Sequence, residues 1–252
     1  MNEYKFTRRD KNGIHDCGYM RIQNSETQPE NAELYFYGDI CGASWESSCF
    51  AEDKAPQDVA DFLHSLDDKK RVDVYINSGG GDVFGGMAIY NILSRYQGET
   101  VAHIDGIAAS IAGIIPFACD KVIAKSSAQI MIHKPWSVCI GNADDMKKCI
   151  ESLNTCEKSI VDIYASHAVN GTTAEKIKSM IDRETWLTCG EASQYFNIEI
   201  EEGEAPQACI SGYYSNYIHT PKSLSEGRTA SANDTEKRKR KLKLELECLR
   251  MK

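Results

Sequence analysis

Gly106-Ile107-Ala108-Ala109-Ser110-Ile111-Ala112-Gly113 is the stretch that most narrows the folds open to this chain. Small residues let two backbone segments approach closely, and glycine permits sharp turns. The apolar run after the serine, Ile111 to Cys119, reads as a helix buried on all sides. Ser110 then stands at a turn entering that helix, its hydroxyl at the positive end of the helix dipole. The position suits a nucleophile facing developing negative charge. It equally suits a serine N-cap in a tight packing site.

The 252 residues suffice for one α/β domain with a large core, or for two small ones. A formal net charge of -8 argues against general nucleic-acid binding by the main body. None of the ten cysteines stands in a C-x-x-C pair, so no zinc site and no other metal or cofactor is expected. Scattered cysteines in a chain this long fit free thiols in a reducing cytosol. Met1 to Arg21 is polar and charged and lacks the apolar core of a signal peptide. Ile107 to Cys119 is too short to span a membrane and is interrupted by Ser110, Gly113 and Pro116. A cytoplasmic protein without membrane contact is the expectation.

Strand and helix patterns alternate along the chain. A short hairpin is expected around Lys11-Asn12-Gly13, and Glu33 to Ile40 reads as the first firm strand. Ala55 to Leu66 has helical apolar spacing, and Arg71 to Asn77 alternates as a strand. Ser78-Gly79-Gly80-Gly81-Asp82 follows, leading into a helix over Val83 to Tyr96. This glycine loop is not a nucleotide site: it lacks G-x-x-x-x-G-K-[ST], and Phe84 stands where a G-x-G-x-x-G frame needs its last glycine. Its N–H groups can point at an anion or oxyanion; the plainer reading is a flexible turn.

Thr100 to Ile104 reads as a strand leading to the Ser110 turn, with further strands at Lys121 to Ile123 and Gln129 to Ile132. The last ends at His133-Lys134-Pro135, which puts the histidine at an edge or cleft. Asn142 to Ala168 is a long amphipathic helix with a stripe of Met146, Ile150, Leu153, Ile160 and Tyr164. Thr173 to Ile181 and Gly190 to Phe196 are shorter helices. After residue 204, Gly, Ser, Asn and Tyr dominate, as in a linker or loose surface segment. Glu236 to Lys252 reads as a basic helix: eight Lys/Arg against three Glu is +5, leaving -13 for the remainder.

Ser110, His133 and the acidic pair Asp182 and Glu184 thus stand near element ends. A hydroxyl needs a base to take its proton, and the base needs an acid to fix its tautomer. The tetrahedral oxyanion needs N–H donors, for which the Gly79–Gly81 loop and the Ile111 amide are suitable.

Five motifs make this constellation specific. They are Ile76-Asn77-Ser78-Gly79-Gly80-Gly81, Gly86-Met87-Ala88-Ile89-Tyr90, Gly106-x-Ala108-Ala109-Ser110-x-Ala112, Met131-Ile132-His133-x-Pro135 and Leu187-x-x-x-Glu191-Ala192. In order and spacing they resemble the proteolytic subunit of the Clp protease over about residues 33–200. The resemblance implies an α/β fold of repeated β-β-α units, the ClpP/crotonase-like fold, with a protruding handle helix from Asn142. It implies Ser110 as nucleophile, His133 as general base, and Gly81 and Ile111 as oxyanion-hole amides with Gly79 and Gly80 supporting the loop. The family's acid is an aspartate two residues before an aromatic. Here Glu184 stands two before Trp186, with Asp182 the second candidate. A homo-oligomeric ring enclosing a chamber, heptameric or a stacked double ring, is implied, acting on polypeptides.

Gly79 replaces the family's usual proline, which should loosen the loop. Residues 1–32 do not match the family's axial segment, and residues 204–252 have no counterpart in the housekeeping enzyme; 33–203 is the expected peptidase domain. These departures resemble the Clp-like proteases of tailed phages and prophages, which process capsid or scaffold protein. Two alternatives stay open: a cellular subunit fed by an AAA+ unfoldase, and a noncatalytic scaffold of the same fold.

Overall fold

The computed structural model describes residues 2–10, 13–22, 31–42, 54–66, 71–203, 214, 217–221 and 224. Strands β1 (Asn2–Asp10) and β2 (Gly13–Ile22) form the expected hairpin, with Asp10 paired to Gly13 and arms of nine and ten residues. The body then alternates: β3 (Asn31–Phe36), α1 (Pro56–His64), β4 (Arg71–Ser78), α2 (Val83–Ser94) and β5 (Glu99–Ala109). A 3₁₀ helix (Ser110–Ala118) follows, then β6 (Lys121–Lys125), β7 (Gln129–Ile132) and α3 (Ala143–Ser166). Last come α4 (Ala174–Asp182), β8 (Thr185–Thr188), α5 (Cys189–Ala192) and β9 (Glu199–Glu201).

The main sheet runs β3-β4-β5-β6-β9 in parallel, the pairing that alternating strands and helices call for. Strand β5 is long enough to serve two neighbours. Val101–Ile104 pairs with β6, whereas Ile107–Ala109 pairs with β7. β5 therefore continues five residues beyond the expected end at Ile104, through Asp105-Gly106. The glycine weakens the strand signal locally; pairing with β7 supplies what propensity does not.

Leu34, Phe36, Val72, Val74, Ile76, Ala102 and Ile104 fill the core from the sheet, with Val59, Phe62, Ile89 and Leu93 from α1 and α2. Every residue from Ile111 to Ala118 is buried, as the apolar run demands, although the coil is 3₁₀ and contains Pro116, which has no N–H to donate. Helix α3 starts at an Asn142 capping box with Asp145. Its second half buries Cys156, Ile160, Val161 and Tyr164, while Met146 and Ile150 in its first half are exposed.

Further elements differ from the sequence expectation, among them α5, which spans Cys189–Ala192 where Gly190 to Phe196 was expected. The first strand of the body stops at Phe36, and Ile40 instead bridges Lys54 and Gly81. Strands β8 and β9 were not expected; both are too short to show periodicity. Tyr214 and Tyr217, in the stretch read as a linker, are buried against Ile107, Ala109 and Met131. The basic helix expected over 236–252 lies outside the described residues.

Candidate active site

Strand register brings Ser110, His133 and the glycine loop to one end of the strands. Ala109 of β5 pairs with Met131 of β7, so Ser110 and His133 leave adjacent parallel strands at the same end. Strand β8 runs antiparallel to β7, with Ile132 paired to Thr185. One step beyond that last pair stand His133 and Glu184. Ser78 of β4 pairs with Ala108, which sets the Gly79–Gly81 loop beside Ser110.

Ser110 Oγ lies 2.7 Å from His133 Nε2. Ser110 has φ 55, a left-handed conformation that side chains rarely adopt, at the junction of β5 and the 3₁₀ helix. Such strain persists only where surroundings enforce it and is concentrated at functional sites. Ile111 is in the first turn of that helix, so its amide has no partner within the helix.

The glycine loop is held tightly. The Ile40 amide donates to the Gly80 carbonyl at 2.8 Å, and the Asp82 amide donates to the Ile40 carbonyl at 2.9 Å. With its two neighbours bonded to Ile40, Gly81 turns its own amide to the opposite side. Glycine is required here: at φ 150, a Cβ on Gly81 would stand 2.0 Å from the Ile40 carbonyl oxygen. A Cβ on Gly80 would stand 2.8 Å from both the Ala109 carbonyl oxygen and the Ser110 Cβ. The Gly79 carbonyl accepts the Tyr217 hydroxyl at 2.5 Å. The loop that loss of proline should loosen is thus tied at both Gly79 and Gly80.

The two acid candidates separate cleanly. Asp182 is exposed at the end of α4 and pairs with Lys134 at 2.8 Å and Lys178 at 3.0 Å. Those two ammonium groups hold its carboxyl below the usual range. Glu184 is buried, with φ 49, just past the Arg183 cap where glycine is usual. Its Oε2 accepts from the Ile218 amide at 2.8 Å; its Oε1 accepts from the His219 amide at 2.5 Å and the Trp186 indole at 3.3 Å. Burial pushes the Glu184 carboxyl up, but those donors and the nearby His133 outweigh it and leave it below its ordinary value. Burial lowers the His133 pKa, and the Glu184 charge partly opposes that shift. Among the described residues, no hydrogen bond joins Glu184 to His133; the coupling is through space.

Tyr217 is the residue that sequence reasoning missed. Its ring packs edge-on against His133, with centroids 4.8 Å apart, and against Trp186 at 6.1 Å. The available signal was Tyr213-Tyr214-x-x-Tyr217: closely spaced aromatics in a stretch otherwise fit for a linker. Among the described residues, no group of three His, Cys, Asp or Glu could hold a metal ion, and no helix is long and apolar enough to cross a membrane.

The sequence model of the Clp protease family matches residues 51–199, more than half of the chain. The chain belongs to the Clp protease family. Relatives of this Clp-family chain include ATP-dependent Clp protease proteolytic subunits. That of Bacteroides fragilis is 31% identical over 140 residues, covering 55% of this chain and 67% of the relative. That of Porphyromonas gingivalis is 33% identical over 141 residues, covering 55% of this chain and 62% of the relative. A ClpP1 point mutant from Listeria monocytogenes shares the fold: TM-score 0.56 at 22% identity, covering 68% of this chain and 92% of that one.

Proposed function

We propose that this Clp-family chain is a serine endopeptidase in which Ser110 attacks peptide carbonyls. The observation that carries the reading is Ser110 Oγ 2.7 Å from His133 Nε2, on a serine held at φ 55. With a proton on Nδ1, His133 accepts the Ser110 proton as the oxygen bonds to the carbonyl carbon, then gives it to the departing amine. Its depressed pKa keeps the imidazole neutral, the form a base needs. Glu184, ionised and beside it, stabilises the imidazolium that forms. The Gly81 and Ile111 amides are assigned to the oxyanion; one such donor is worth about 10²–10³ in rate.

Ring assembly is part of this reading, supported by the exposed apolar side chains that precede and line the first half of α3. Trp136, Val138, Ile140 and Ile150 are 49%, 58%, 76% and 58% exposed. The finer role proposed is maturation of phage capsid or scaffold protein by a prophage-encoded enzyme. It is supported by the segments flanking the family match, one of which reaches the site through Tyr217. The competing role, degradation with an AAA+ unfoldase, is favoured by the relatives named as ATP-dependent subunits.

A fluorophosphonate should label the purified chain, and Ser110→Ala should lose the label. No labelling of the assembled protein would favour a noncatalytic scaffold. ATP-dependent degradation of a folded substrate with an unfoldase would favour the cellular role over the phage role.

A further inference from the structure

Beyond residue 199, where the family match ends, the chain returns to the candidate site through three consecutive residues. The Tyr217 hydroxyl donates to the Gly79 carbonyl, and its ring abuts His133. The Ile218 and His219 amides donate to the two oxygens of Glu184. The anchor is apolar: Tyr214 and Tyr217 are each 7% exposed, in a cluster with Ile107, Ala109, Met131, Trp186 and Leu224. Ser110 and His133 remain partly exposed, so this segment does not bury the dyad.

An ionised carboxylate is unfavourable in a buried place unless donors replace its water. Among the described residues, two of the three hydrogen bonds that Glu184 accepts come from Ile218 and His219. Its left-handed backbone, without glycine's freedom, also requires outside restraint.

We propose that residues 217–219 are a positioning clamp of the active site. The two amides hold Glu184 ionised beside His133, and the Tyr217 hydroxyl holds the Gly79–Gly81 loop in the register its amide needs. The clamp rests on the endopeptidase reading above. It acts through Glu184, the glycine loop and the packing of the Tyr217 ring on His133.

The test uses the full chain and reads both fluorophosphonate labelling of Ser110 and hydrolysis of a peptide. Ile218→Pro removes the amide proton, whereas Ile218→Ala keeps it and trims a side chain that is 82% exposed. The proline variant should be at least about tenfold slower in kcat and labelling than the alanine variant, with KM within about twofold. In a Glu184→Ala background that gap should shrink to under about twofold, since the amide then has nothing to hold. Tyr217→Phe keeps the ring and its packing, and should lower kcat about fivefold.

Equal rates for the two Ile218 variants would overturn the clamp. So would a gap that persists without Glu184, or a proline variant faster than the alanine one, which would mark the segment as inhibitory. Should Ile218→Pro fail to fold, Tyr217→Phe decides, and an unchanged kcat sinks the proposal. A wild-type chain that never labels removes the endopeptidase reading itself; a labelled wild type with indifferent variants removes only the clamp.

Discussion

Ser110 and Glu184 both hold the left-handed backbone conformation without being glycine, at φ 55 and φ 49. Each costs about 1–3 kcal/mol that the surrounding packing must offset. Between them lies His133, whose pKa is set by two opposed effects: burial lowers it below the ordinary 6.5, and the Glu184 charge raises it by less. A base must be deprotonated, so kcat/KM should rise with pH to a plateau, with its midpoint below 6.5. Replacing Glu184 with alanine removes the raising influence. The midpoint should then move to lower pH while the plateau falls, measured on a peptide substrate. A midpoint that moves upward would show that Glu184 does not face the imidazole. Ser110 and His133 stood out in the sequence as candidates because each sits in a dense local motif. In the sequence Glu184 and Asp182 differed only in spacing from Trp186; in the structure, register separates their positions. Ile132 pairs with Thr185, which carries Glu184 to His133 and leaves Asp182 out on α4 among lysines.

At the scale of elements, the site depends on how closely α2 approaches the 3₁₀ helix. A Cβ on Gly86 would lie 2.3 Å from Ile111 Cγ1, and Ile111 is 2% exposed, with nowhere to retreat. Gly86→Ala gains about 1 kcal/mol of helix propensity. Overpacking of a buried β-branched side chain costs about 1–3 kcal/mol, so the net effect is destabilising. The same displacement moves the Ile111 amide; kcat should fall about tenfold with the drop in Tm, the second readout being calorimetry. Tyr164 offers the opposite sign. Its hydroxyl is buried without a partner among the described residues, and its ring packs against those of Phe117 and Phe196. Tyr164→Phe removes an unsatisfied polar atom and should leave stability unchanged or raise it by up to about 1 kcal/mol. A loss above that in denaturant titration would mean that the hydroxyl is bonded in the assembled protein. Helix spans from Pro56 to Asp182 were readable from apolar spacing and caps; strands β8 and β9 were not, because three or four residues carry no period.

At the scale of the molecule, α3 divides into a half that packs and a half that does not. Ile160 and Tyr164 are 7% and 1% exposed, whereas Met146 and Ile150 on the same stripe are 38% and 58% exposed. Under the ring-assembly proposal, an apolar face of that kind should pair with another subunit. Ile150→Asp should therefore shift the sedimentation profile to smaller species and lower specific activity with them, leaving the far-ultraviolet circular dichroism unchanged. A profile identical to wild type would show that this face makes no subunit contact. The charge variant disturbs nothing in the monomer core, because Ile150 makes no part of it.

By itself the sequence determined the α/β alternation, the buried run after Ser110 and the placing of Ser110 and His133 as candidates at element ends. These are local properties: apolar period, small-residue turns and motif spacing act within a dozen residues. Only the tertiary structure decided that β5 divides its edge between β6 and β7, that Glu184 and not Asp182 faces His133, and that Tyr217 returns to the Gly79 carbonyl. Those outcomes depend on pairing and burial between segments separated by tens of residues, 138 in the case of Gly79 and Tyr217. No local pattern encodes such a contact; competition among burial, register and hydrogen bonding across the whole chain selects it.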